Sequence, residues 1–289
     1  MILGVPVVDG HEMTDAFIGA LAASVEPENF RLVIIDNGSN KPYKVPKDLP
    51  FKCEVLRNDE NMGFYYPLYQ LYNKYRHEKL IGLVHNDLLL YEPGWNVRMQ
   101  QAFETDPQLG LVGLCGSNEL DSNGGRGAGT MCFFRGAEVQ VGGQTYIGQP
   151  QTAGRRLSDL QPACVLDSLF MMFKREAIPH LMNETDPWAH VTLAHFYDRI
   201  WPCRTIEAGF RCAVLGVECD HIGGITTTAN ERYRDDCIKW LQQRKIPYEN
   251  PETEMYLVAE RRFLGEYKEN KRFLPCIVGQ DYGIQHLAS

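Results

Sequence analysis

The sequence predicts an α/β protein: a doubly wound, mostly parallel sheet followed by a C-terminal helical appendage. Strand-like and helix-like patterns alternate through residues 1–115, as they do in successive βαβ units. A fully apolar run, Leu80–Val84, is typical of a strand buried on both faces of a parallel sheet. Charged amphipathic patterns over residues 235–245 and 252–267 predict the C-terminal helices.

The elements of the first half follow a regular order. Residues 2–8 predict a strand, and residues 14–25 predict a helix with Thr14 as its N-cap. Two more apolar strands, over residues 30–35 and 51–56, each precede a polar, turn-forming segment. A helix over residues 67–75 has Pro67 in its first turn, where a missing N–H is tolerated. After the strand 80–84 come a helix over 94–105 and a strand over 110–114.

Residues 116–163 break this order and predict a lid or an acceptor-facing region, because long irregular stretches in compact domains are usually functional. Within them, residues 139–147 around Gly142-Gly143 predict a hairpin. A strand over 165–173, a helix over 195–210 ending at Gly209, and a strand over 211–217 follow. We therefore predict an α/β domain over residues 1–225 and a helical extension over residues 226–289.

Composition narrows the function classes. The chain has 289 residues, 44% of them hydrophobic, and a net charge of −8, which argues against broad electrostatic binding of nucleic acid. No apolar run of about 18 residues exists, so no transmembrane helix is expected. The first residues enter a strand pattern directly, so no secretory signal is expected. Nine scattered cysteines without a CxxC pair predict reduced thiols and a cytoplasmic protein.

The segment His85-Asn86-Asp87 follows the buried strand directly. A carboxylate buried there without a partner is unfavourable, and open α/β sheets bind ligands at the carboxyl ends of their strands. The sequence therefore predicts that a metal ion or a substrate is the partner of Asp87. Asp36, before Asn37-Gly38, is either a nucleotide contact or a turn cap.

Five segments in chain order carry a resemblance to a known family. They are Val5-Pro6-Val7-Val8-Asp9 with Val33-Ile34-Ile35-Asp36-Asn37-Gly38-Ser39, Asn61-Met62-Gly63-Phe64, His85-Asn86-Asp87, His195-Phe196-Tyr197-Asp198 with Arg204 and Gly209, and Val217-Glu218-Cys219-Asp220-His221-Ile222-Gly223-Gly224. They resemble the opening strand pair, the Asn-x-Gly segment, the DxD, the ED-x-D helix and the histidine-ended strand of family 2-type glycosyltransferases with the GT-A fold. The resemblance spans residues 1–225.

The resemblance implies an inverting, metal-dependent hexosyltransferase with a nucleotide-diphosphate sugar donor, a UDP-sugar being favoured. Mn²⁺ or Mg²⁺ would be held by Asp87 and His221, since such ions accept carboxylate, imidazole and phosphate ligands. Asp198 would be the general base for the acceptor hydroxyl. The donor would contact Pro6, Val8, Asp9, Asp36, Asn61, Gly63, Asn86, Asp87 and Asp167.

The sequence departs from the family pattern at several positions. His85 stands where the DxD has its first Asp, and we expect this ring beside the cation rather than bound to it. Tyr197 and Ile200 stand where the ED-x-D helix has acidic residues. Five further residues keep two alternatives each. Asp198 is a base or forms an ion pair with Arg199, His221 is a ligand or a core residue, and Arg204 contacts the phosphates or braces the helix. Trp188 and Trp201 are sugar platforms or core residues.

Two other functions remain possible. A nucleotidyltransferase on the related fold would need a basic loop after the first strand, and residues 9–13 contain no Lys or Arg. A non-catalytic sugar- or protein-binding module could keep the same scaffold. The acceptor could be a glycan, a protein or a modified nucleic-acid base. The C-terminal helices could form a homodimer surface or an acceptor platform.

Overall fold

A computed structural model describes residues 1–118, 130–149, 155–182, 196–223 and 231–265. Within these ranges the strands are β1 Ile2–Val7, β2 Arg31–Asn37, β3 Lys52–Asn58, β4 Leu80–Val84, β5 Leu88–Leu90, β6 Leu109–Gly113, β7 Gly116–Ser117, β8 Thr130–Cys132, β9 Glu138–Val141, β10 Gln144–Ile147, β11 Arg155–Arg156, β12 Leu160–Ala163, β13 Val165–Leu166, β14 Phe170–Lys174, β15 Arg211–Leu215 and β16 Cys219–His221. The helices are α1 His11–Ser24, α2 Tyr65–Lys74, α3 Trp95–Thr105, α4 Ile178–Leu181, α5 Tyr197–Glu207, α6 Glu231–Gln243 and α7 Pro251–Phe263.

The main sheet has the strand order β12-β15-β6-β14-β4-β1-β2-β3. Strands β3, β2, β1 and β4 pair in parallel, and β6 pairs in parallel with β15. Strand β14 lies antiparallel between β4 and β6, and β12 is an antiparallel edge. The predicted mostly parallel α/β sheet is confirmed.

Both faces of this sheet are buried, and each face is covered by its own apolar cluster. Neighbouring residues of one strand point to opposite faces and so belong to different clusters. Leu32 and Ile34 of β2 belong to one apolar cluster, and Val33 and Ile35 to the other. Helices α1 and α3 pack on the first face, and α2, α4, α5 and α7 on the second. This three-layer arrangement is the doubly wound pattern expected from the sequence.

Two predicted elements need correction. Helix α1 begins at His11 after Gly10, whose left-handed conformation (φ 62°) starts the helix, so Thr14 is not the N-cap. Thr14 is buried inside the helix instead, and its hydroxyl donates to the Gly10 carbonyl at 3.3 Å. The predicted strand over 165–173 is two strands, because β13 pairs with β7 in a small separate sheet while β14 joins the main one.

Other sequence-based elements are confirmed. Strands β9 and β10 form the predicted antiparallel hairpin around Gly142-Gly143, both of which have positive φ. Helix α5 ends before Gly209, whose φ of 86° suits a C′ glycine. In the part of the chain that the structure describes, no helix is long and apolar enough to cross a membrane.

The C-terminal helices pack on the sheet layer that holds α5. Phe263 of α7 is buried against Phe196, with ring centroids 5.5 Å apart. Ala259 belongs to the same apolar cluster. The predicted division at residue 225 stays a prediction, but α7 shares its core with the residue that precedes α5.

Candidate functional site

The carboxyl ends of the central parallel strands meet at one edge of the sheet. Asp9 follows β1, Asp36 ends β2, and His85 follows β4. Strand β14 enters the sheet at this same edge, because Phe170 pairs with Val84. The topology therefore gathers most of the predicted site residues at the edge where open α/β sheets bind ligands.

A cluster of His85, Asp87 and His221 forms the chemical centre of this edge. The His221 Nε2 atom lies 3.5 Å from Asp87 Oδ1, and His85 Nδ1 lies 3.8 Å from the same oxygen. One ligand atom from each residue lies within 4.8 Å of the other two. Two imidazoles and a carboxylate therefore converge on one point.

Local chain geometry produces this convergence. After β4 the backbone turns, with the Leu88 N–H directed to the His85 carbonyl at 3.4 Å, and continues as β5. Strand β5 pairs antiparallel with β16, which sets His221 opposite Leu88. The Ile222 N–H then donates to the Asp87 carbonyl at 3.0 Å. This short ladder holds His221 against Asp87.

The cluster fits a divalent cation. Asp87 is buried, with 4% of its surface exposed, and its Oδ1 atom has no hydrogen-bond partner among the described residues. A buried carboxylate oxygen without a partner is unfavourable unless a cation supplies one. Burial raises the pKa of Asp87, but the adjacent His221 and His85 rings outweigh it and hold that pKa below its usual value. The carboxylate form is therefore available as a ligand.

Each imidazole has a second partner on the far side of its ring. His85 Nε2 lies 3.1 Å from the Tyr197 hydroxyl, and His221 Nδ1 lies 3.1 Å from Gln149 Oε1. Burial lowers the pKa of His85 to about 4, despite the opposing charge of Asp87. At neutral pH this ring is uncharged and can offer a nitrogen lone pair.

Asp198 lies in the first turn of α5, beside the cluster. Burial lowers the pKa of His85 and raises that of Tyr197, and the charge of Asp198 opposes the first shift and adds to the second. The side chain is 15% exposed and pairs with Arg199 at 3.2 Å, which is the ion pair considered from the sequence. The structure thus places Asp198 near the cluster with a neighbouring cation, and its role as a base stays a prediction.

Asp36 is fully buried, and its oxygens are occupied from within the protein. They accept from the Ser39 and Tyr43 N–H groups at 2.8 and 3.0 Å and from Arg57 Nη1 at 2.6 Å. Burial raises the pKa of Asp36, but these hydrogen bonds outweigh it and lower the pKa overall. The side chain acts as the turn cap weighed from the sequence, and the nucleotide contact stays a prediction.

The Asn61–Gly63 segment is held on two sides. Asn61 Oδ1 accepts from the Gly63 N–H at 2.9 Å, and the Gly63 carbonyl accepts from Asn37 at 2.8 Å. Asn61 also donates to Asp236 of α6 at 2.9 Å. The predicted donor segment is therefore fixed both by β2 and by a C-terminal helix.

The remaining predicted donor residues lie along the same edge. Asn86 donates to the Thr14 hydroxyl at 3.1 Å, and Asp9 accepts from the Asn40 backbone at 2.8 Å. Asp167 accepts from the Leu169 N–H at 3.1 Å, in the link between β13 and β14. Pro6 and Val8 are half-buried in and just after β1. Their contacts with a donor stay predictions.

Some of the open assignments have an answer in the structure. Arg204 donates to the Tyr65 hydroxyl and the Leu181 carbonyl, at 3.1 and 2.5 Å, so it braces α5 against α2 and α4. Trp201 is fully buried in the core. Trp188 and His195 lie outside the described residues, and so do the side chains of Arg155 and Arg156.

Three residues that the structure brings to the cluster received little weight from the sequence. His85 was expected beside the cation rather than bound to it, which stays a prediction, and one of its ring nitrogens lies within 4.8 Å of the ligand atoms of Asp87 and His221. No role was assigned to Tyr197 or Gln149. The nearness of His85 to Asp87 in the sequence was a usable signal for His85, because both lie in the turn that follows β4. Gln149 left no signal, since only the fold brings it to His221.

No protein-family model matches the sequence, and no curated protein matches it. Among solved structures, GalNAc-T7 with UDP, GalNAc and Mn²⁺ is similar at a TM-score of 0.51 and 10% identity, over 83% of this chain and 47% of that one. The mannosyltransferase PcManGT from Pyrobaculum calidifontis, in complex with GDP-Man and Mn²⁺, has a TM-score of 0.47 and 11% identity, over 91% and 69%. S. aureus TarS 1-349 has a TM-score of 0.43 and 13% identity, over 96% and 75%.

The likeness to GalNAc-T7 establishes the fold. The chain has the GT-A fold, as the sequence resemblance predicted. It spans about half the length of GalNAc-T7.

Proposed function

We propose that this protein is a metal-dependent glycosyltransferase that moves a sugar from a nucleotide-diphosphate donor to an acceptor hydroxyl. The observation that carries the proposal is the convergence of His85, Asp87 and His221 at the carboxyl edge of a GT-A sheet. GalNAc-T7, which shares the fold, was crystallised with UDP, GalNAc and Mn²⁺. That likeness supports a nucleotide-sugar donor and a cation for this chain as well.

In this proposal, the cation is held by His85, Asp87 and His221. When bound, such a cation neutralises the charge that develops on a leaving diphosphate. Mn²⁺ or Mg²⁺ would serve this purpose. The buried Oδ1 atom of Asp87, which has no hydrogen-bond partner in the described part of the chain, gives the carboxylate the central place among the proposed ligands.

Asp198 is the proposed general base, which takes the proton of the acceptor hydroxyl as that oxygen attacks the anomeric carbon. A single base acting in line with the leaving group gives inversion of the anomeric configuration. The Arg199 guanidinium, 3.2 Å from Asp198, orients the carboxylate. Asn61, Gly63, Asn86 and Asp167 are proposed to contact the donor.

A two-stage experiment tests the proposal. A thermal-shift panel of UDP-, GDP- and dTDP-sugars, each with and without Mn²⁺, is expected to raise the melting temperature for one donor only when Mn²⁺ is present, because a ligand of the native state stabilises it. Donor hydrolysis or transfer is then measured for that donor. Stabilisation by no donor, or stabilisation without turnover, would contradict a glycosyltransferase.

The Asp198→Asn variant separates catalysis from mere binding. We expect it to bind the donor as the wild type does and to lose turnover, and a binding module would show no such loss. The turn after β1 and the start of α1 argue against a nucleotidyltransferase, because residues 9–13 contain no Lys or Arg to bind a triphosphate. The hexosyl donor, the glycan, protein or nucleic-acid acceptor, the homodimer and the cytoplasmic location remain predictions.

A further inference from the structure

Three side-chain amides form a hydrogen-bonded chain that ends on the proposed donor segment. Gln70 Nε2 donates to Asn58 Oδ1 at 2.7 Å, and Asn58 Nδ2 donates back to Gln70 Oε1 at 3.1 Å. Asn58 Nδ2 also donates to Asn37 Oδ1 at 2.7 Å, and Asn37 Nδ2 donates to the Gly63 carbonyl at 2.8 Å. The ends of β2 and β3 and the helix α2 each contribute one member of this amide chain, which consists of Asn37, Asn58 and Gln70.

The direction of the amide chain is determined by its last acceptor. The Gly63 carbonyl can only accept a hydrogen bond, so Asn37 presents its NH₂ group there and its oxygen to Asn58. Asn58 in turn presents its NH₂ group to Asn37 and its oxygen to Gln70. Turning Asn37 over would place its oxygen against the Gly63 carbonyl. A polar network that is satisfied in one arrangement holds its members rigidly.

Both polar backbone groups of Gly63 are engaged within the protein. Its N–H donates to Asn61 Oδ1 at 2.9 Å, and its carbonyl is the end of the amide chain. Its φ of 69° is a left-handed conformation that glycine adopts without strain. The turn at Gly63 is therefore fixed, and it determines where the next residue, Phe64, lies.

Phe64 joins this turn to the cation cluster. Its ring stacks on Tyr197, with centroids 4.6 Å apart and planes inclined by 15°, and it packs edge-on against His85 at 5.0 Å. Phe64 is only half-buried, so part of its surface stays accessible at this edge of the sheet. Ligand sites are lined mostly by apolar and aromatic side chains around a few polar groups. A half-buried ring beside the cluster fits such a lining.

We propose that the three residues of the amide chain are positioning residues, which fix the Gly63 turn and so place Phe64 as a wall of the donor site. This inference rests on the proposed function, in which residues 61–63 contact the donor. The amide chain holds that segment from the sheet, whereas Asp236 holds it from α6. Breaking the amide chain should therefore weaken donor binding although none of its members needs to touch the donor.

Asn37→Asp breaks the amide chain, and Asn96→Asp is its matched control. Each variant loses an N–H that donates to a backbone carbonyl at 2.8 Å from a buried residue, and each keeps an oxygen acceptor. The partner of Asn96 is Glu26, in the link that enters β2 at the opposite edge of the sheet. Both variants should therefore lose stability, but only Asn37→Asp should affect the donor segment. Gln70→Met, at a half-buried position, breaks the far end of the amide chain and replaces Asn37→Asp if that variant does not fold.

Hydrogen–deuterium exchange of the full chain without ligands gives the first readout. Peptides that cover residues 61–66 should exchange faster in Asn37→Asp and in Gln70→Met than in the wild type, because the Gly63 turn is released. In Asn96→Asp the same peptides should exchange as in the wild type. Equal exchange of residues 61–66 in all four chains would overturn the inference.

Isothermal titration with UDP-, GDP- and dTDP-sugars in the presence of Mn²⁺ gives the second readout. The Kd of the donor that the wild type binds should rise about tenfold in Asn37→Asp, by a smaller factor in Gln70→Met, and less than about twofold in Asn96→Asp. Equal donor affinity in Asn37→Asp and Asn96→Asp would show that the amide chain only stabilises the fold. If the wild type binds none of these donors, the proposed function fails, and the exchange comparison still decides whether the amide chain fixes the turn.

Discussion

At the residue scale, Asp36 and Asp87 are two buried carboxylates at strand ends with contrasting surroundings. Asp36 accepts from two backbone N–H groups and Arg57, whereas Asp87 keeps an oxygen with no hydrogen-bond partner among the described residues. The sequence predicted a ligand for Asp87 and left Asp36 as either a nucleotide contact or a turn cap. Their surroundings suggest that Asp36 stabilises the fold and that Asp87 is the one available for a cation.

Replacing Asp36 by Asn should therefore destabilise the protein. We expect the free energy of unfolding at pH 7 to fall by about 2 to 4 kcal/mol, because Arg57 loses its buried partner. The matched control is Glu54→Gln on the neighbouring strand, which alters an ion pair with an arginine. Both side chains of that pair are about one-third exposed, so the free energy of unfolding should change by less than about 1 kcal/mol. Urea denaturation measures both, and equal losses would contradict the assignment.

The destabilisation caused by Asp36→Asn should depend on pH in one direction. The folded-state pKa of Asp36 lies below its unfolded value, so its contribution is present above the unfolded pKa and is lost as pH falls through the folded pKa. The difference between wild type and Asp36→Asn should accordingly shrink below about pH 4. A difference that stays constant or grows on acidification would contradict this account.

The donor set predicts a preference for Mn²⁺ over Mg²⁺. Imidazole ligands suit transition ions, whereas Mg²⁺ prefers oxygen, and two of the three proposed ligands are imidazoles. Competition of Mg²⁺ against bound Mn²⁺ should show a preference of at least about tenfold in the wild type. His85→Asp should reduce that preference, and His77→Asp, at an exposed position, should leave it unchanged. An unchanged preference in His85→Asp would exclude His85 as a ligand.

At the element scale, helix α6 contacts the proposed donor segment. Asp236 accepts from Asn61 at 2.9 Å, and Lys239 pairs with Glu60 at 3.2 Å. The sequence predicted the helix but gave no indication of this contact, because the pairing joins residues 175 positions apart. The same holds for β5 and β16, whose pairing brings His221 to Asp87.

The Asp236→Ala variant tests whether α6 supports donor binding. Because Asn61 loses a hydrogen bond, the donor Kd should rise about five- to tenfold, while the Mn²⁺ affinity without nucleotide should stay the same. Asp235→Ala is the matched control at the adjacent, exposed position. Isothermal titration measures both affinities. The same donor affinity in the two variants would show that α6 has no such role.

At the scale of the whole molecule, the alternation of strand and helix patterns was enough to predict the fold class. Alternation is a local property, so β1 to β4 and the helices between them lie close to their predicted positions. The strand over 165–173 was mispredicted because its two halves pair with different sheets, and pairing is not encoded in one apolar run. Asp87 and His221 were assigned to one site from the motif order, but the contacts of Tyr197 with His85 and of Gln149 with His221 required the tertiary structure.

Shared packing predicts that the C-terminal helices unfold together with the sheet. Phe263→Ala should lower the free energy of the single calorimetric transition by about 3 to 5 kcal/mol, since Phe263 is buried against Phe196. Tyr256→Ala, at a partly exposed residue of the same helix, should have a smaller effect of about 1 kcal/mol. Two separate transitions, with Phe263→Ala shifting only one, would show that the helices form an independent unit.

The central claim is that Asp87 anchors a cation for a nucleotide-diphosphate donor. Its most direct test is isothermal titration of UDP- and GDP-sugars into wild type and Asp87→Asn, with and without Mn²⁺, after circular dichroism shows both chains folded. We predict one donor bound per wild-type chain only with Mn²⁺, and binding at least about 100-fold weaker in Asp87→Asn, a difference of about 2.7 kcal/mol. Donor binding that needs no Mn²⁺, or that survives unchanged in Asp87→Asn, would contradict the claim.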